Sequence, residues 1–210
     1  MSFDWDIDWR GQPASDRTSG NSQVVYNAFP RWVGSPQILL RKEQIRNWRA
    51  FRATAQGRVG IYRIRLCDPV GFGLSETGAG IGSKGVPFST STFFSADVGF
   101  AYDPKATVNI AADAGSEQLT ITSPDVAPKV GQIMSYDDWP FQVTTVRTTG
   151  ADTYSIGIQM PLRSAITAGE SVSLAGIGRF EAVEDGMGNP TYGAAHVSTP
   201  RLQFREVLTR

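Results

Sequence analysis

Apolar positions along this chain follow two different spacings, and the switch between them organises the sequence. From Lys42 to about Gln56, Ile45, Trp48 and Phe51 recur every three or four residues, with Leu40 and Ala55 near the two ends. Arg41, Lys42, Arg46, Asn47 and Arg49 fall between them. That spacing predicts an amphipathic α-helix with a basic outer side, and Gly57 supplies its stop. Val59, Ile61, Ile64 and Leu66 then interleave with Arg58, Arg63 and Arg65, an imperfect alternation that predicts a strand. Upstream, Gln23 to Asn27 and Pro36 to Leu40 predict two further strands. Residues up to about Ser22 keep no sustained period and read as an extended arm with one short strand. Trp5 and Trp9 in that arm require a surface to bury against, which is expected to be the chain's own domain before a neighbouring subunit.

From Ala106 to Ala175 the spacing is regular. Thr107–Ala111, Gln118–Thr122, Gln132–Tyr136, Pro140–Val146, Tyr154–Gln159 and Ser171–Leu174 read as strands. Turn signals separate them at Ala114-Gly115, Pro124-Asp125, Asp137-Asp138, Thr149-Gly150 and Ala168-Gly169. Short strands at this density predict a small barrel, of the oligonucleotide/oligosaccharide-binding (OB) kind in size. Arg179–Val183 and Arg201–Leu208 predict two return strands. The expected fold is therefore mainly β: a β-sandwich with one flanking helix, built from residues 1–100 and 176–210, and an OB-like barrel inserted over 106–175. The boundary is placed between Pro87 and Ala106, after a loose, glycine-rich stretch. No internal repeat or heptad pattern is read.

Composition narrows the function classes. Gly 22, Pro 12 and 40% hydrophobic residues suit a packed β protein. A formal charge of zero argues against a surface devoted to nucleic acid. The zero conceals a dipole: residues 1–70 hold eleven Arg and Lys against six Asp and Glu, and residues 71–175 hold five against ten. Such a division suits head-to-tail assembly or a basic face near nucleic acid. Cys67 is the only cysteine, which precludes an intrachain disulfide or a thiolate cluster. The acidic start, Met1-Ser2-Phe3-Asp4-Trp5-Asp6, lacks a secretory apolar stretch, and no apolar run reaches membrane-spanning length. Synthesis in a reducing cytoplasm is expected.

The motifs that carry chemistry in other proteins are incomplete here. The cluster Gly78, Gly80, Gly82 and Gly85 surrounds Lys84, but Gly85-Val86-Pro87 follows where a phosphate loop needs Ser or Thr opening a helix. Asp4, Asp6 and Asp8 alternate with Trp5, Ile7 and Trp9, which strand amphipathicity explains without a cation. His196 is the only histidine, so it has no second imidazole for a metal or catalytic set. Asp137-Asp138 and Glu184-Asp185 sit in turn contexts. No catalytic residue, metal or cofactor is expected. Tyr136 and Trp139, with Phe141 and Tyr154, are either barrel core or a platform for stacking a glycan.

A resemblance enters with the second half of the chain. Gly131-Gln132-Ile133-Met134-Ser135-Tyr136, Trp139-Pro140-Phe141-Gln142-Val143, Ile156 to Arg163, Gly169-Glu170-Ser171-Val172 and Gly178-Arg179-Phe180 follow one another. This series resembles distal tail proteins, minor tail or baseplate components of long-tailed, non-contractile bacteriophages. The resemblance implies a tail-tube-like domain interrupted by a small barrel, a hexameric ring, and no active site. It also implies the partners: further copies of the chain, a tail tube protein, a baseplate hub protein, and DNA passing through the lumen without sequence specificity. A virion tail location without membrane contact follows. In such a ring Arg46, Arg49, Arg52 and Arg58 are the expected interface or lumen residues. The alternative is a carbohydrate-binding module that attaches to a host cell surface through Tyr136 and Trp139; a hydrolase would need a converging carboxylate pair.

Overall fold

The computed structural model describes residues 4–11, 14–16, 22–24, 30–66, 88–100, 103–124, 126–191 and 197–209. Cys67, His196, the glycine cluster at 78–85 and the second half of the strand expected at Gln23 to Asn27 lie outside them. Within them the protein is mainly β, with one α-helix and several antiparallel sheets. The chain forms two compact units, residues 1–64 with 179–210 and residues 65–178. The cuts at Ile64 and Gly178 stand against an expected first boundary between Pro87 and Ala106. No helix in the described residues is long and apolar enough to cross a membrane.

The first unit is organised on a five-stranded sheet. Its strands are β1 (Trp5–Asp8), β4 (Arg31–Gly34), β6 (Ile61–Arg65), β13 (Ile177–Ala182) and β15 (Phe204–Glu206), in the order β1-β4-β15-β13-β6. Two small ladders accompany it: β2 (Ala14–Asp16) with β3 (Ser22–Val24), and β5 (Leu40–Arg41) with β14 (Val197–Ser198). Alternation gives the main sheet a buried face. Trp32, Phe180, Ala182, Phe204 and Glu206 point to it, and Ile7 lies opposite Trp32 in register. Trp5 packs on Phe180 with ring centroids 4.8 Å apart, so this arm residue finds its surface in its own domain. Trp5 also lies over Gly34, where even a methyl group would overlap its ring. The arm thus contributes a short strand, as expected there, and it pairs with residues 31–34, where the sequence predicts no strand.

The helix α1 (Glu43–Ala55) matches the predicted span. It ends where Gln56 and then Gly57 turn left-handed, at φ 52° and 70°, and Gln56 N donates to Arg52 O. An aromatic ladder ties the helix to the sheet. Trp48, Phe51, Tyr62 and Phe204 follow one another with centroids 5.3 to 5.6 Å apart. Each step is a tilted or edge-on contact of the kind that adds to burial.

The second unit is a closed antiparallel barrel. It comprises β7 (Lys105–Val108), β8 (Gln118–Thr122), β9 (Ile133–Tyr136), β10 (Trp139–Gly150), β11 (Thr153–Gln159) and β12 (Ser171–Ser173). The closed order is β10-β11-β8-β7-β12-β9, six strands where the OB type has five. Ile121, Met134, Ile156 and Val172 are fully buried in it. Asp137 and Asp138 both have positive φ, at 48° and 58°, making the two-residue turn between β9 and β10. The register slips between Val143 and Thr145, and Gly157 answers the bulge by donating its N–H to Thr145 Oγ1 at 3.1 Å. Gln132 is fully buried, its amide donating to Leu174 O at 2.7 Å and its carbonyl accepting from Lys129 N at 2.9 Å. Chain entry and exit meet, since Leu66 N donates to Gly176 O at 2.8 Å.

Gly60 gives a direct check on the helix-to-strand joint. A methyl added there stands 2.6 Å from Ala55 O, a backbone atom that cannot swing aside. Gly60→Ala is expected to cost about 1–3 kcal/mol. Gly186→Ala, where the added methyl meets no atom within 4 Å, should stay within about 0.5 kcal/mol of wild type. Urea unfolding of both variants tests this; equal midpoints would contradict the packing.

Candidate functional site: a charged sheet face with two edges

The side of the main sheet opposite its core carries charge on every strand. Asp6 and Asp8 lie on it from β1, Arg31 from β4, Arg205 from β15, and Arg179 and Glu181 from β13. Tyr62 reaches Phe204 on the buried side, so strand alternation turns Ile61, Arg63 and Arg65 of β6 to the charged side. Two pairs directly opposite in register bridge neighbouring strands. Arg31 Nε meets Asp8 Oδ2 at 3.3 Å, and Arg205 Nε donates to Glu181 Oε1. Cross-strand pairs of this kind fix register more than they add stability.

The outer strands differ in sign. β1 ends the sheet with Asp6 and Asp8, and β6 ends it at the other side with Arg63 and Arg65. Among the described residues neither strand has a second neighbour. An edge strand presents a row of backbone N–H and C=O groups to which another chain can pair.

The predicted basic helix plays a different part. Arg52 is half-buried and turned to its own chain, its Nε donating to Met187 O at 2.9 Å and its Nη2 to Gly186 O at 3.4 Å. Trp48 Nε1 donates to Gly188 O at 2.7 Å, so two helix side chains clasp one loop. Arg46 is exposed and pairs with Glu43 one turn earlier at 3.0 Å. Arg49 and Arg58 are exposed, Arg49 lining a shallow recess with Ala53, Asn189 and Pro190. Arg52 lines the same recess. Arg63, Arg65, Arg179 and Arg205 form the basic part of the sheet face. Their alternation was visible in the sequence, but strand order was not.

Tyr136 and Trp139 flank the β9–β10 turn. Tyr136 Oη donates to Glu170 Oε2 at 2.8 Å, and the same oxygen accepts from Thr167 N at 2.7 Å. Those two bonds favour the carboxylate and hold Glu170 below its usual 4.5, the Thr167 N–H contributing most. Burial, followed by the Glu170 bond, raises Tyr136 above 10. The Arg163 guanidinium carbon sits 5.8 Å from the Trp139 ring centroid, over its face. Both aromatics are half-buried, and the enclosed space beside them is only about 10 Å³. No group of three His, Cys, Asp or Glu side chains able to hold a metal occurs among the described residues.

No protein-family model matches this chain, and no curated protein matches it.

Two outcomes test these roles. Arg52→Ala should lower stability by about 1–3 kcal/mol by leaving loop carbonyls without a charged donor. Arg46→Ala should change it by less than about 0.5 kcal/mol, as expected for an exposed pair; equal losses in urea unfolding would remove the clasp. Because the folded-state pKa of Glu170 is depressed, its contribution is present above its unfolded pKa and lost as pH falls through the folded value. Glu170→Gln should therefore melt below wild type at pH 7, with the gap shrinking under acid; a gap independent of pH would contradict the network.

Proposed function

We propose that this chain is a virion structural protein, a distal tail ring subunit joining the tail tube to the baseplate hub of a long-tailed, non-contractile bacteriophage. The observation that carries the reading is the main sheet with outer strands of opposite charge. Pairing β6 of one copy with the acidic β1 of the next is a heterologous, head-to-tail contact, and such contacts close into rings when the rotation allows. Closure satisfies the edge backbone of every copy, and the resemblance sets the number of copies at six. The charged sheet face then lines or borders the ring's interior, and the protein acts through geometry rather than catalysis. Its neighbours are the tail tube and hub proteins.

Attachment to a cell-surface glycan is the weaker reading. Arg163 occupies a face of Trp139, the Tyr136 hydroxyl is committed to Glu170, and the space beside them is smaller than a sugar ring.

Native mass spectrometry and negative-stain imaging of the full chain, alone and with tail tube protein, test the ring. Asp6→Lys and Arg65→Glu each place like charges across the seam and should weaken assembly at least about tenfold. The double variant Asp6→Lys/Arg65→Glu restores opposite signs and should recover it. Rings that survive both single variants unchanged would defeat the edge pairing.

A further inference from the structure

A short repeat lies between β6 and β7 in the sequence. Phe88-Ser89, Phe94-Ser95 and Phe100 recur at intervals of six residues. Two of these units fold identically. Phe88 N donates to Thr92 O at 2.9 Å and Ser91 N to Phe88 O at 2.8 Å; Phe94 N donates to Val98 O at 2.9 Å and Asp97 N to Phe94 O at 2.8 Å. Each turn places its fourth residue left-handed, Ser91 at φ 60° and Asp97 at φ 58°. The period brings the three rings together edge-on, with centroids 4.9, 5.2 and 5.0 Å apart. The rings nevertheless remain exposed: Phe88 39%, Phe94 42% and Phe100 49%, with Val98 at 49%.

A trio of aromatics held by its own turns is a preformed apolar knob. Its shape is fixed by hydrogen bonds within 88–100, so ordering it on binding costs little. Exposed phenylalanines clustered in this way mark an interaction site more strongly than scattered apolar residues. The only charged side chain of the segment is Asp97.

The chain also carries a surface suited to receive it. At the end of α1, Phe51 is 49% exposed, and Val59 in the following turn is 79% exposed. Phe51 is the outer rung of the aromatic ladder through Tyr62 to Phe204, so a further ring added there extends an existing edge-on series. Exposed Arg49 and Arg58 accompany Phe51 and Val59 in sequence, opposite in sign to Asp97. The patch also runs directly into β6, the basic edge of the sheet.

We infer that the Phe88–Phe94–Phe100 knob of one copy docks on the Phe51–Val59 patch of a second copy, with Asp97 against the arginines. The contact is head-to-tail. This inference rests on the ring reading but fails separately from it.

The test uses full-length chains in a Cys67→Ser background. One carries Ser95→Cys beside the knob, the other Val59→Cys in the patch, and the two are mixed with a short bismaleimide. Expected is a covalent mixed dimer formed at least tenfold faster than with a control Thr149→Cys chain replacing the Ser95→Cys one. Phe94→Ser/Phe100→Ser added to the knob chain should abolish that excess, and Phe51→Ser added to the patch chain should do the same. Circular dichroism and melting confirm that each variant is folded. Rings that form normally while no mixed dimer appears overturn the knob contact and leave the edge pairing standing. A wild-type chain that stays monomeric at several hundred micromolar and gives no mixed dimer also overturns it, while the ring on a tube template is judged by its own experiment.

Discussion

Backbone hydrogen bonding is the constraint on which this structure turns, because every strand must place two rows of N–H and C=O groups. The two units meet it in different ways. The second closes six strands on themselves, so no strand is left at an edge. Among the described residues the main sheet of the first has five strands, with β1 and β6 outermost. Burial follows the same division. The barrel interior is filled from all sides by residues such as Ile121, Met134 and Ile156, whereas the sheet buries one face and keeps charge on the other.

Each contribution to the sheet has a specific cause. The helix covers the apolar face through an aromatic ladder, and its position is set by Trp48 and Arg52 holding the carbonyls of residues 186–188. Those bonds turn a nominally basic helix inward at the position where charge is most restrained. The exposed charge is instead distributed over strands, paired in register at Asp8–Arg31 and Glu181–Arg205 and concentrated in opposite sense at the two ends. Electrostatics here orders the sheet from one side to the other without adding much to the stability of the single chain.

Much of this architecture was legible in the sequence because period-two and period-3.6 patterns report local geometry directly. The helix over 43–55, the Gln118–Thr122 strand and the Asp137-Asp138 turn stand where the pattern puts them. What the pattern lacked was pairing. Trp5–Asp8 and Arg31–Gly34 are short and become strands through partners distant in the chain: they pair with each other across twenty-odd residues, and Arg31–Gly34 pairs on its other side with β15. Composition shows where positive charge is dense, while partner carbonyls such as Met187 O decide which of those charges remains available. The six-residue spacing of Phe88, Phe94 and Phe100 is fully present in the sequence but matches neither a helical nor a strand period; the Ser and Thr residues around Phe93 and Phe94 suggest extended chain, where the structure forms turns.

The hydrogen bond between Leu66 and Gly176 has a consequence for how the chain is inherited as well as how it folds. More than a hundred residues leave the sheet and return to the same point. To the host strands on either side, that excursion is equivalent to a tight turn, since closing its ends is done once by one backbone contact and depends only weakly on the length between. Material at this joint can lengthen, shorten or be exchanged for another compact module while β6 and β13 keep their places. The joint is a port at which the protein can acquire a new appendage without relearning its fold.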